Sequence, residues 1–196
     1  MNITVKLLTP ERAADYFDFF EARAFTDDSP YRCYCQVYQM SKAEYGKAFN
    51  NLAGDERGRV SRTIAAQQIA AGILQGYLAY ADGVAIGWCN ANDRANYPAE
   101  PQYDVPFHAP KEKREKAVTC FEIAPEYRKK GVATALLQQV VADAKAEGCS
   151  AVVGFPVLYE ERFEWDSRGP VRLYEKVGFI KMAEQNGYAV MIKKLP

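Results

Sequence analysis

Histidine is nearly missing from this chain: there is one, His108, in a proline-rich stretch with no paired cysteine nearby. A zinc site needs about four ligands. Cys33 and Cys35 therefore lack a second half, and no metal is expected. An excess of either charge is missing too, with Lys plus Arg and Asp plus Glu at 25 each. That balance removes the global positive field of a nucleic-acid or anionic-membrane binder and confines any basic function to a local patch. No apolar run reaches bilayer length, and the N-terminal "MNITVKLLTPERAADYF" has no signal-peptide core. The expectation is a cytoplasmic protein with neither membrane nor nucleic acid among its partners. In that reducing compartment the five scattered cysteines, Cys33, Cys35, Cys89, Cys120 and Cys149, are read as thiols.

What is present is the composition of a packed domain. Hydrophobic residues make up 48% of 196, which argues against disorder and fits one domain over residues 1–196 better than two. "ITVKL" alternates as a strand does, and Thr9-Pro10 opens a helix with Ala13, Phe17, Phe20 and Ala24 on one stripe. Ser41 and Glu44 match a capping box, and Asp55 begins a further helix whose "RTIAAQQIAAGI" runs to about Gly76. "YLAYADGVAIGWCN" reads as two strands joined by Asp82-Gly83. From about Asn92 to Lys116 a stretch with four prolines and the run "KEKREK" reads as a long loop ending in a solvated charge cluster. "AVTCFEI", a helix from Gly131 to Glu147 and "AVVGF" then form a βαβ-like unit with parallel strands. A short helix around "PVRLYEKV" and a hairpin through Asn186-Gly187 close the chain.

The local basic patch is residues 126–137, "EYRKKGVATALL". It lies between a strand stopped by Pro125 and a helix that starts at Gly131. A helix start exposes unpaired N–H groups and a positive partial charge, so it holds anions through its backbone. Several charge-assisted hydrogen bonds at roughly 1.5–3 kcal/mol each suffice for micromolar binding of a diphosphate.

"EIAPEYRKKGVATALL" resembles the acyl-CoA signature of the GNAT superfamily of N-acyltransferases, with Arg128, Gly131 and Ala133 at the pattern positions, and "RLYEKVGF" resembles the family's second signature. The resemblance is good from about Tyr77 to Phe179. It implies an α/β GNAT fold, a mixed central sheet flanked by helices, and acetyl-CoA as acyl donor with no metal. It further implies that the backbone of Phe121, Glu122 and Ile123 pairs with the pantetheine arm, and that the N–H groups from Lys129 through Lys130, Gly131, Val132 and Ala133 to Thr134 hold the pyrophosphate, with Arg128 adding charge. Tyr174 matches the family's general acid beside the sulfur. Where many members carry an Asn seven residues before that tyrosine and an Ala four before it, this chain has Ser167 and Pro170, so Ser167 stands as the replacement cofactor contact.

The implied reaction is transfer of an acetyl or longer acyl group to a primary amine by direct attack in a ternary complex. The acceptor, a small molecule or a protein amine, is left open, as is a homodimer. Glu122 is the first candidate for the base, with Asp104, Glu160, Glu161 and Asp166 as others; strand alternation could turn Glu122 away from the substrate. The alternative from another class is a catalytically silent acyl-CoA-binding or sensor module. Such a module would keep Gly131 and the strand pairing without depending on Tyr174. The segment around Cys33-Tyr-Cys35, rich in tyrosine, is either buried packing or a lining of the acceptor pocket. The aromatic and acidic "YEERFEWD" would suit a cationic acceptor amine.

Overall fold

The computed structural model describes residues 1–27, 29, 32–100, 113–159 and 166–196. The first strand, β1 (Thr4–Leu7), leads through a 3-10 turn at Pro10–Arg12 into α1 (Ala13–Ala22). Thr9 flanks that turn in an extended conformation but makes no side-chain cap. Tyr16, Phe17, Phe19 and Phe20 are buried, so the apolar face of α1 is wider than the expected stripe. The capping box forms as read: Ser41 accepts from the Glu44 N–H and the Glu44 carboxylate accepts from the Ser41 N–H, opening α2 (Lys42–Phe49). Helix α3 (Gly54–Ala70) stops well short of Gly76, because Gly72 takes a left-handed φ of 68° and ends the helical path.

Strands β2 (Gly76–Ala81) and β3 (Val84–Asp93) pair through Asp82-Gly83, both with positive φ, as the turn chemistry predicted. The loop expected from Asn92 to Lys116 is shorter at both ends. Strand β3 runs to Asp93, a 3-10 turn covers Arg94–Asn96, and β4 (Glu115–Ile123) begins inside "KEKREK". The end of that charge run is buried rather than solvated, with Glu115 and Lys116 only 6% and 4% exposed. Ion pairs permit this: Arg94 meets Glu115 at 2.6 Å and Lys116 meets Glu147 at 2.7 Å. His108 and Asp104 lie outside the described residues.

Helix α4 (Val132–Ala146) joins β4 to β5 (Ala151–Gly154), and these two strands are parallel, which completes the expected βαβ unit. After α5 (Val171–Lys176), strands β6 (Ile180–Gln185) and β7 (Tyr188–Lys194) form the closing hairpin, and β7 inserts beside β5. The sheet is mixed and seven-stranded, in the order β1-β2-β3-β4-β5-β7-β6. One face packs α1 aromatics against Trp88, Leu78 and Cys120. The other packs Leu136, Leu137 and Val140 of α4 with Tyr174 and Phe179 against Tyr77, Val118 and Val152. Among the described residues no helix is long and apolar enough to cross a membrane.

Candidate active site

The site begins where two strands part. Strand β5 pairs with β4 only from Glu115 to Val118, yet β4 continues to Ile123. Beyond Gly154 the chain parts from β4 while staying bonded to β7, the Ala189 N–H donating to the Pro156 carbonyl and Val157 bridging Tyr188, and proline has no N–H with which to extend the β4 ladder. A cleft of about 620 Å³ opens at this fork. Residues from β4, the segment before α5 and the α1–α3 half of the molecule all line it.

The exposed edge of β4 narrows one expectation. The Ala124 N–H donates to the Ile86 carbonyl at 3.1 Å, so by ladder alternation the Glu122 peptide groups also turn toward β3. Glu122 therefore offers its side chain, not its backbone, to the cleft. Phe121 and Ile123 face the open edge. There the Phe121 N–H donates to the Ser167 carbonyl at 2.5 Å, and the Ile123 carbonyl accepts from Arg128 Nε at 3.1 Å. Ser167 thus reaches β4 through its main chain.

The start of α4 has the expected backbone form. Gly131 caps α4 with a φ of 87°, and the first helical bond runs from the Ala135 N–H to the Gly131 carbonyl. The N–H groups of Val132, Ala133 and Thr134 consequently have no intrahelical partner. Nothing lies within 4 Å of a Cβ built on Gly131, so space above the cap is open to a ligand. Lys129 is itself left-handed at 61° and exposed, while the Lys130 ammonium sits 5.5 Å from the Tyr127 ring centroid. Arg128 is engaged elsewhere in this structure. Its guanidinium turns back to pair with Asp27 and stands 3.6 Å from Glu122. Those carboxylates outcompete an exposed position for a planar, always charged group.

Glu122 lines the cleft with a side chain only 14% exposed. Burial, reinforced by the neighbouring Cys33 sulfur and opposed by Arg128, pushes its carboxyl up to about 8. Cys33 is half-buried on the cleft wall, and its thiol is lowered by a hydrogen bond from Cys35. Cys35, Cys89, Cys120 and Cys149 are buried. The tyrosine-rich segment is thus both packing and lining, since Cys33 and Tyr38 face the cleft while Cys35 is enclosed. Asp166 also faces the cleft, accepts from the Arg168 N–H at 2.9 Å, and is raised by burial. Glu160 and Glu161 lie outside the described residues.

Tyr174 sits beneath the 167–170 segment, 1% exposed, and donates its hydroxyl to the Arg168 carbonyl at 2.8 Å. Its ring occupies space that any other residue at 154 would need: a Cβ on Gly154 would come within 2.1 Å of it. Burial raises its phenol well above the ordinary value, so it keeps its proton at neutral pH.

Several lining residues had no sequence signal. Tyr45, Phe49 and Arg57 come from α2 and α3, whose pattern reads as ordinary surface helix, and Arg168 stacks 5.1 Å from both the Tyr38 and Tyr188 ring centroids. Among the described residues, Asp93, Glu147 and Cys149 come close enough to share a cation, but Arg114 and Lys116 already pair with the two carboxylates.

The model of the acetyltransferase (GNAT) family matches residues 34–179, a span that includes the fork, the cradle and Tyr174. The chain belongs to the GNAT family of acetyltransferases. Solved structures support the fold over the whole length. A GNAT-family acetyltransferase from Streptococcus pneumoniae is 16% identical, covers 100% of both chains and superposes with a TM-score of 0.56. The PaiA N-acetyltransferase of Thermoplasma acidophilum, in complex with coenzyme A, is 15% identical with a TM-score of 0.53 over 99% of each chain. An aminoglycoside acetyltransferase, also with coenzyme A, is 14% identical at a TM-score of 0.56, covering 98% of this chain and 95% of its own. No curated protein matches. As a member of this family the chain is an acyltransferase domain.

Proposed function

We propose that this GNAT domain transfers an acetyl group from acetyl-CoA to a primary amine by direct attack in a ternary complex, with Glu122 as base and Tyr174 as acid. The observation that carries the reading is the environment of Glu122. A carboxyl raised to about 8 beside the fork exchanges its proton near neutral pH, where a general base works best.

Bound acetyl-CoA supplies the thioester. The α4 cap from Lys129 to Thr134 receives the pyrophosphate, and the open edges of Phe121 and Ile123 receive the pantetheine as an added strand. This pairing requires the Ser167 carbonyl to release the Phe121 N–H and Arg128 Nε to release the Ile123 carbonyl wherever the pantetheine takes those groups. Arg128 acts through Glu122, holding it at the cleft wall and moderating its basicity. The amine nitrogen attacks the thioester carbon, Glu122 takes the amine proton, the C–S bond breaks, and the Tyr174 O–H protonates the leaving sulfur. Each proton transfer contributes about 10²–10⁴-fold.

The burial of Tyr174 favours the silent CoA-binding alternative, because the hydroxyl is engaged with Arg168 and the ring is covered. Two measurements separate the readings. Acetyl-CoA at 100 times its dissociation constant should stabilise the protein by about 2.7 kcal/mol, and no shift sinks both. Acceptor-dependent thiol release that falls at least about tenfold in Tyr174→Phe supports catalysis. Coenzyme binding with no acceptor-dependent release supports the silent module.

A further inference from the structure

Charge is unevenly spread around the cleft. Among its described lining residues are four arginines, Arg32, Arg57, Arg128 and Arg168, against two carboxylates, Glu122 and Asp166. Arg128 is accounted for by Asp27 and Glu122. Arg32 and Arg57 differ: among the described residues no carboxylate lies within ion-pair distance of either. Arg32 donates to the Phe25 carbonyl at 3.4 Å. Arg57 is half-buried, its guanidinium 4.8 Å from the Phe49 ring centroid and 5.5 Å from that of Tyr45, and it donates to the Tyr45 hydroxyl. Stacked in this way, the planar fork is held in place before any ligand arrives, which lowers the ordering cost of a bidentate contact.

The coenzyme does not account for these cations. Its pyrophosphate belongs at the α4 cap, and neither Arg32 nor Arg57 is on β4, α4 or the 167–170 segment; both lie on the α1–α3 side, toward which the Glu122 side chain points. We infer that the acceptor is an amine that also carries a carboxylate, such as a free amino acid, with its amine at Glu122 and its carboxylate on the Arg57 fork, Arg32 adding positive charge to the same cleft. This inference rests on the acetyl-transfer reading and names its substrate class. A zwitterion matches both signs of charge in the cleft, whereas a polyamine or aminoglycoside would bring several positive charges against Arg32, Arg57 and Arg168. The TM-score shared with the aminoglycoside acetyltransferase therefore describes fold and not acceptor.

The full-length chain with acetyl-CoA would be assayed by thiol release against the twenty L-amino acids, their α-amides, spermidine, kanamycin and O-phosphoethanolamine. At least one amino acid should be acetylated with a kcat/KM about ten- to a hundredfold above that of its own amide, the worth of one charge-assisted pair. Arg57→Gln should collapse that ratio toward one, chiefly through KM of the acid, and Arg57→Lys should restore only part of it. If Arg57→Gln does not fold, judged by circular dichroism, Arg32→Gln must lower the same ratio. Equal turnover of acid and amide, or preference for spermidine, kanamycin or O-phosphoethanolamine, overturns the inference, as does acetyl-CoA binding with turnover of none of them. Absence of any acetyl-CoA thermal shift refutes the acetyl-transfer reading itself and is thereby distinguished.

Discussion

Replacing Glu122 by Gln removes one titratable group and nearly preserves shape, so its consequences can be worked through with sign. In the folded protein the carboxyl titrates near 8, against 4.5 when unperturbed. Between those values the folded state holds a proton that the unfolded state has released, so the contribution of Glu122 to stability is fully present below about pH 4.5. It is lost as pH rises toward 8. A rise of that size corresponds to about 4–5 kcal/mol between acid and alkaline limits. Glu122→Gln should therefore melt near the wild type at pH 5 and above it at pH 9. With about 2–4 °C per kcal/mol for a domain of this size, the gap should open by roughly 8–20 °C. Differential scanning calorimetry of both proteins at half-unit steps from pH 5 to 9 measures it directly. The same group governs rate. As a base, Glu122 works when ionised, so wild-type kcat/KM should climb through about pH 8, and the variant should lose that limb along with about 10²-fold or more in rate. Parallel melting curves across the whole range would refute the buried-carboxyl argument. A retained alkaline limb would transfer the base to another group, with Asp166 the next candidate on the cleft wall.

Two further substitutions test the rest of the site. Gly131→Glu, which puts bulk and negative charge into the open space above the α4 cap, should weaken CoA binding by more than about tenfold, while Lys129→Ala should change it by less than about threefold; equal losses by calorimetric titration would defeat the backbone-cradle account. Gly154→Ala should cost about 1–3 kcal/mol in denaturant unfolding, because its methyl group collides with the Tyr174 ring, and activity should fall beyond the loss in folded protein. Unchanged stability would mean that the ring is less firmly held than it stands.

Local chemistry determined a good deal of this protein before any tertiary information. The Ser41 capping box, the hairpin at Asp82-Gly83, the β4-α4-β5 unit and the Gly131 cap depend on residues a few positions apart, whose hydrogen bonds and allowed φ angles are set by nearest neighbours. The acyl-CoA signature could be read for the same reason. Partners distant in sequence were not legible. "KEKREK" looks solvated until Arg94 and Glu147 arrive to bury Glu115 and Lys116, and Arg128 looks like a free phosphate ligand until Asp27 takes it. Whether Glu122 faced the cleft or the packed core depended on strand register, which a linear pattern leaves open by one residue. The α2–α3 wall of the cleft, with Arg57 stacked on Tyr45 and Phe49, had no signature at all. Its residues come from α2 and α3, and only the packing of the helices across the sheet brings them to the fork. Sequence alone determined the family signature and the backbone form of the α4 start, because both are set within a few neighbouring residues. Tertiary structure alone decided the charge, burial and reach of the side chains that line the cleft, because those properties belong to the space between elements.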